Sequence, residues 1–313
     1  MSRYVLQRLL GMLTVMFTVV TIVFIIVRVA PGDPAAVMLG PDATPADIEV
    51  LRVRLGLDQP LPIQYVYFLA QLARGDLGHS IFLDMPVASA LLDRAEPTFF
   101  LTLFAILIAS AIALPVGIMS AYRRGGLFDQ SVTTLTMLAA SIPSFWLGLI
   151  LIQVFAVRLG WFPVAGYGGP DASFLTRMSH LVLPATALGV VSSALITRFT
   201  RASMLDVLND DYVRTARSKG MGELRVVMKH AFKNALIPVL TVIGLTAALL
   251  VSGAVVTETV FSLPGVGNLV VSAVLRRDYP VIQGALLVIA AIYVLINFGI
   301  DMLYLMIDPR VRY

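Results

Sequence analysis

The side chains that could do chemistry here are few, and their spacing excludes more than it offers. The sequence contains no cysteine, so a disulfide framework, thiol catalysis and a cysteine-ligated metal are all unavailable to it. Its three histidines, His79, His180 and His230, lie far apart and make no paired metal-ligand spacing. A nucleotide-phosphate loop requires Gly-Lys followed by Ser or Thr, whereas Lys219, Lys229 and Lys233 follow Ser218, Met228 and Phe232. No Ser/His/Asp grouping suggests an integral-membrane hydrolase. What remains are isolated polar features in a chain that is 58% hydrophobic and 13% charged.

Three such features stand out. The stretch "DYVRTARSKG", residues 211–220, places four charged side chains in ten positions. Asn297 and Asp301 are four apart in an otherwise apolar run, so they share a helix face, and a carboxylate near mid-bilayer costs at least ~2.5 kcal/mol unless paired or hydrated. Asp301 reads either as an interfacial carboxylate paired with Arg198 or Arg201, or as a proton or substrate relay. The third feature is "TETVFSLPGVG", in which Glu258, Phe261, Pro264, Gly265 and Gly267 could form an external gate, Glu258 meeting a substrate ammonium. Its Pro-Gly step is turn chemistry first, which favours a structural re-entrant turn over a gate.

The elements that must position these residues are membrane spans. Mean hydropathy is +0.88. Apolar runs of the ~20-residue length that crosses hydrocarbon fall at Leu9–Val29, Phe99–Tyr122, Val132–Val157, Leu181–Thr197, Ala235–Val256 and Val281–Ile307. The first run follows Arg3 and Arg8, yet it is too long for a signal peptide and lacks a convincing cleavage site, so it reads as an uncleaved span. With the N-terminus in the cytoplasm, the inner segments hold 14 Lys/Arg against nine outside, and the net charges are +8 and −3. The basic residues concentrate in the 123–130 and 198–233 loops, which predicts that both termini are cytoplasmic.

Within the spans, Ala105, Ala109, Ala113 and Gly117 recur every four residues, as do Gly244, Ala248 and Ser252, a pattern that permits close helix approach. Pro115, Pro143, Pro184 and Pro238 each remove a backbone donor and predict bends. The long 30–98 segment predicts a compact external helical cap: Thr44 caps a helix whose Ile48, Leu51 and Leu55 share a face, and "QYVYFLAQLARGD" stops at Gly75. This cap could rest on the bilayer or receive a partner. On the inner side, "ASMLDVLNDDYVRTARSKG" reads as a helix, Gly220 as a left-handed C-terminal residue, and "ELRVVMKHAFKNA" as a second short helix before the fifth span. Arg214, Arg217 and Lys219 would suit anionic lipid. The interleaved Asp206, Asp210, Asp211 and Glu223 favour a protein-docking surface instead, because a lipid patch gains nothing from carboxylates.

At this point the stretch "DYVRTARSKG…RVVMKHAFKNALIPVLTVIG" resembles the cytoplasmic coupling loop of binding-protein-dependent ABC importer permeases, in the subfamily carrying dipeptides, oligopeptides, nickel and glutathione. "YVLQRLL", "APGDPA", "LGLDQPL", "GDLGHS", "ASIPSFWLG", "TRASMLDVL", "GAVVTETVFSLPGVGNLV", "RRDYPVIQG" and "DPRVRY" extend the resemblance over nearly the whole chain. The wider superfamily's loop runs Glu-Ala-Ala, three residues, Gly, nine residues, then Ile-x-Leu-Pro. Here Arg214, Thr215 and Ala216 occupy the triplet, so only Ala216 and Gly220 match. His230, Phe232 and Lys233 take the final positions, and the proline arrives at Pro238. That departure is itself similar to the peptide/nickel subfamily.

The resemblance implies an all-α integral membrane protein with six transmembrane helices, a type I ABC importer permease (MetI-like) fold and cytoplasmic termini, in the bacterial cytoplasmic (inner) membrane. It implies a coupling loop comprising Asp211, Tyr212, Arg214, Thr215, Ala216, Arg217, Lys219 and Gly220. It also implies a second homologous permease subunit, two ABC ATPase subunits that bind ATP and Mg, and an extracytoplasmic solute-binding protein, with no cofactor or nucleic acid for this chain. The expected organisation is an N-terminal tail and first span (1–30), an external helical segment (31–98) and a five-helix core (99–313) that includes the loop 198–235. The competing function is an ion-coupled secondary carrier using Asp301, although the two three-span halves show no visible repeat.

Overall fold

In the computed structural model, residues 2–29, 34–40, 43–54, 56–80, 82–169 and 171–307 are described. The "DPRVRY" ending, Met1, Leu55 and most of "APGDPA" lie outside them. Among the described residues the regular structure is helical, apart from one antiparallel pairing of β1 (His79–Ser80) with β2 (Met85–Pro86). Among the described residues five helices are long and apolar enough to cross a membrane: Leu6–Val29, Ala95–Tyr122, Phe174–Leu208, Glu223–Val260 and Tyr279–Leu303.

The third expected span differs. Instead of one helix over Val132–Val157, α7 (Leu127–Ser141) and α8 (Ser144–Leu151, continued as a π-helix over Ile152–Arg158) meet at 94°. The cause lies at Pro143. The residue before a proline is pushed out of the α region, and Ile142 accordingly has φ −85°, ψ 125°. Pro115, Pro184 and Pro238 sit within continuous helices. If the bent pair counts as one span the total is six, otherwise five.

The chain divides into two units. One comprises residues 97–264 and 295–313. Its centre is built by α6 (Ala95–Tyr122), α9 (Phe174–Leu208) and α12 (Lys233–Val260), with Ala109, Ala113, Ile196 and Val242 buried together. The small-residue spacing does what it implied: a Cβ on Gly189 would lie 2.8 Å from the Ala105 carbonyl, and one on Gly117 would lie 2.7 Å from Thr200 Cβ. On α12, Gly244 faces Ile300 and Ala248 is buried, but Ser252 is exposed, so that stripe stops one turn early. The same unit holds α10 (Asp211–Ser218) and α11 (Glu223–Arg225).

The second unit comprises residues 2–96 and 265–294. Here α1 (Ser2–Val29) meets α4 (Leu61–Ala73) through Phe24 against Tyr65 and Phe68, and through an Arg28 Nε donation to Gln64 Oε1 at 2.7 Å. The Thr44 cap forms as expected on α3 (Pro45–Arg54). Thr44 Oγ1 accepts from the Asp47 amide, and Asp47 Oδ2 accepts back from Thr44. Gly75 follows α4 at φ +77°, in the expected stop. A second apolar cluster joins α5 (Val87–Asp93), α13 (Val266–Arg276) and the first turns of α14 (Tyr279–Ile307) through Val87, Leu269 and Val281.

Candidate functional site: a polar hairpin on a rigid helical root

At 35 residues α9 is about 52 Å long, given ~1.5 Å per residue, well beyond the ~30 Å of bilayer hydrocarbon. Its last turns lead into the charged stretch. The sequence suggested one helix through residue 220. Instead the chain breaks at Asn209, whose side-chain amide donates to Leu205 O (2.8 Å), and restarts as α10.

The amphipathic pattern of α10 determines how it docks. Val213 and Ala216 are buried and pack with Val226, flanked by Val207 and Met221. Asp211, Tyr212, Arg214, Thr215, Arg217, Lys219 and Gly220 are exposed. The helix closes in a Schellman motif: Met221 N donates to Ala216 O (3.4 Å), Gly220 N donates to Arg217 O (2.9 Å), and Gly220 takes φ +75°. Arg217 donates to both oxygens of Glu223 across the turn, at 2.8 Å from Nη2 to Oε1. This hydrogen bonding raises the guanidinium above its ordinary pKa. Tyr212 donates to His230 O at 3.3 Å and accepts from Asn234 at 2.7 Å. Arg214 donates to Asn209 O at 3.3 Å and lies 3.5 Å from Asp211.

The second arm is not the separate short helix that the sequence suggested. Residues Glu223 to Val260 form one continuous helical segment, with a π-helical stretch at Val226–Phe232. Val227 and Ala231 there pack against Met204 of α9 and Ala121 of α6, so the hairpin presses directly on the ends of two long helices. Leu224 and Met228 stay exposed, at 79% and 46%. Sequence reading missed them as surface anchors, because a leucine before a span looks like part of the span.

Beside this contact lies an ion pair, buried on its Asp129 side and half-buried at Arg201, that spacing could not reveal, its partners being 72 residues apart. Asp129, in the first turn of α7 and 4% exposed, accepts from Arg201 Nε (2.5 Å) and Nη2 (2.8 Å), from Ser120 Oγ (2.5 Å) and from Gly125 N (2.9 Å). Arg201 is thus engaged by Asp129 rather than by Asp301, and Arg198 lies over the Phe199 ring. Asn297 and Asp301 are half-buried on α14.

At the other end of α12, the expected gate residues divide. Glu258 is fully buried and accepts from Thr98 Oγ1 (2.5 Å). Phe261 is buried too, its ring against Gly148 of α8, where a Cβ would come within 2.9 Å. The Phe261 carbonyl accepts from Gly166 N at 2.8 Å. Pro264 is exposed; Gly265 caps α13 in the second unit, and Gly267 is buried in that helix.

Long apolar helices surround a small-residue core, and one polar hairpin stands on a continuous helical root. The chain belongs to the family of binding-protein-dependent transport system inner membrane components, whose description matches residues 113–313, while the family's N-terminal component matches residues 1–102. It is an integral membrane permease of an ABC importer and not itself an enzyme. It is 43% identical to a probable peptide ABC transporter permease of Sinorhizobium fredii, over 100% of both chains. To the glutathione transport system permease GsiC of Pectobacterium atrosepticum it is 44% identical, again over all of both. It is 42% identical to the di/tripeptide permease DppB of Pseudomonas aeruginosa, over 100% of this chain and 99% of that one. The inward-facing MetNI methionine ABC transporter shares the fold, with a TM-score of 0.59 at 19% identity over 70% of this chain and 96% of that one. These relatives leave the ion-coupled carrier without support.

Proposed function

We propose that this permease carries short peptides or a similarly small polar solute across a bacterial inner membrane, and that the 209–232 hairpin is where its ATPase partner docks. The end-to-end likeness to peptide and glutathione permeases supports the solute class. One observation carries the docking role. The hairpin offers a mixed-charge, partly apolar surface of Tyr212, Arg214, Lys219 and Leu224, while its buried side is wedged against α6 and α9. A lipid anchor needs no such rigid root.

In this reading the chain spans six times, with α7 and α8 together as the third span, and both termini face the cytoplasm, as the basic bias of the 123–130 and 198–233 loops favours. The segment 31–98 is the external helical region and 99–313 the core. A second, related permease completes the pathway, two ATPase chains bind ATP and Mg, and an external solute-binding protein delivers the cargo. Glu258 and Phe261 act as a closed outer corner, not as a free ammonium site.

The test uses the reconstituted complex. Because the chain lacks cysteine, Leu224→Cys provides a unique attachment point, expected to cross-link to the ATPase chain in a nucleotide-dependent way. Peptide-stimulated ATP hydrolysis in wild type, uncoupled from uptake by Gly220→Pro, supports the reading. Normal transport by the proline variant, or cross-linking of Leu224→Cys to lipid alone, refutes the docking role.

A further inference from the structure

The hairpin accounts for how force reaches α6 and α9, but not for how it reaches α7, the arm whose continuation α8 seats the Phe261 ring. The Asp129 cluster lies at that junction. Ser120 is next to Ala121, and Arg201 is one turn before Met204; Ala121 and Met204 are the α6 and α9 residues under the hairpin's π-helical arm. Asp129 itself is the third residue of α7, and its second oxygen holds the amide of Gly125, which turns the chain at φ +77°. One carboxylate thereby ties three helix ends and the turn between two of them. Four donors on one carboxylate specify its position far more narrowly than charge neutralisation requires.

We infer that the Asp129–Arg201 pair is a positioning joint that makes the ends of α6, α7 and α9 move as one body, so that displacement of the hairpin is delivered to the bent α7–α8 pair and from there to Phe261. α7 lies along α9, yet its first turn follows α6 through residues 123–126, all four of them exposed, so the bonds at Asp129 are what hold that end in place. The buried charge acts through geometry and touches no solute. This inference rests on the ABC permease reading.

The experiment measures solute uptake per ATP hydrolysed in the reconstituted complex, together with the thermal stability of the assembled complex. Asp129→Asn keeps the shape but weakens both Arg201 bonds. It is expected to retain basal ATP hydrolysis while uptake per ATP falls roughly tenfold, within the ~5–150-fold span of ordinary allosteric couplings. Asp129→Glu and Ser120→Ala, which retain the charge, are expected to lose progressively less, and they supply the answer if Asp129→Asn fails to assemble. Ala113→Val, an overpacking change in the three-helix core, serves as a stability control and should lower the unfolding temperature without altering uptake per ATP. The inference is overturned if assembled clamp variants keep the wild-type ratio, or if the control at matched stability loses as much. A wild-type complex in which ATP hydrolysis is never linked to solute would instead refute the importer reading itself.

Discussion

Two helices in the 97–264 unit end in the same closing geometry and differ in what holds it. At the end of α10 the left-handed position is Gly220, exposed, with open space where a Cβ would stand. At the end of α12 it is Ser262, at φ +50°, with Leu263 N donating to Glu258 O (2.8 Å) and Ser262 N to Thr259 O (3.2 Å). A non-glycine residue there costs about 1 kcal/mol. The α12 corner sustains that strain because Phe261 and Leu263 are buried beside it, Gly166 holds the Phe261 carbonyl, and Glu258 is bonded to Thr98. The α10 corner has only small apolar contacts and an exposed ion pair. The first corner is closed by its own residue, the second by its surroundings.

Removing the surroundings should therefore do most damage. Phe261→Ala is expected to destabilise the detergent-solubilised protein by ~3–5 kcal/mol, read from thermal or denaturant unfolding. A comparable loss from Val213→Ala at α10 would erase the distinction. Gly148→Ala forces a methyl against the Phe261 ring and should cost ~1–3 kcal/mol by overpacking, with a shift in the intrinsic fluorescence of the nearby Trp146 as a second readout. At the other corner Gly220→Ala meets no atom, so its cost is purely conformational, about 1 kcal/mol. Ser262→Gly should move the opposite way, gaining about 0.5 kcal/mol, since the serine side chain is exposed and only the strain is removed. Smallest is Arg217→Ala: an exposed pair contributes under ~1 kcal/mol, and the difference from wild type should shrink further at high salt.

The sequence made some of these features visible and hid others for physical reasons. Five of the six long apolar runs, the Thr44 cap and the Gly75 and Gly220 stops are local, and each appeared where its residues predicted. The break between α7 and α8 was masked because Val132–Val157 is apolar throughout; hydropathy reports transfer into hydrocarbon, not direction, and Pro143 looked no different from three prolines that leave their helices continuous. The Asp129–Arg201 and Thr98–Glu258 bonds join residues 72 and 160 positions apart, so no periodicity records them. A sequence signal existed only for the first, an acidic residue in the first turn of a helix just after paired glycines. Glu258 looked like a ligand for solute because its surroundings were read as a turn, whereas burial makes it an internal acceptor.

The π-helical stretch at Val226–Phe232 sets a rotational phase. The hairpin's second arm and the span beyond it share one backbone ladder, with no intervening loop to absorb a screw displacement. Each residue in an α-helix advances the azimuth by ~100°, so deleting a single residue from 233–243 would swing Gly244 away from Ile300 and present a bulkier neighbour to it, whereas the wider π turn at 226–232 can give up one residue and return to α-helical spacing. Length changes at 209–210 or 219–222 would be absorbed by the turns there. The segment from Lys233 onward works like an indexed shaft, and insertions or deletions between it and Gly244 should abolish assembly even where every substitution is tolerated.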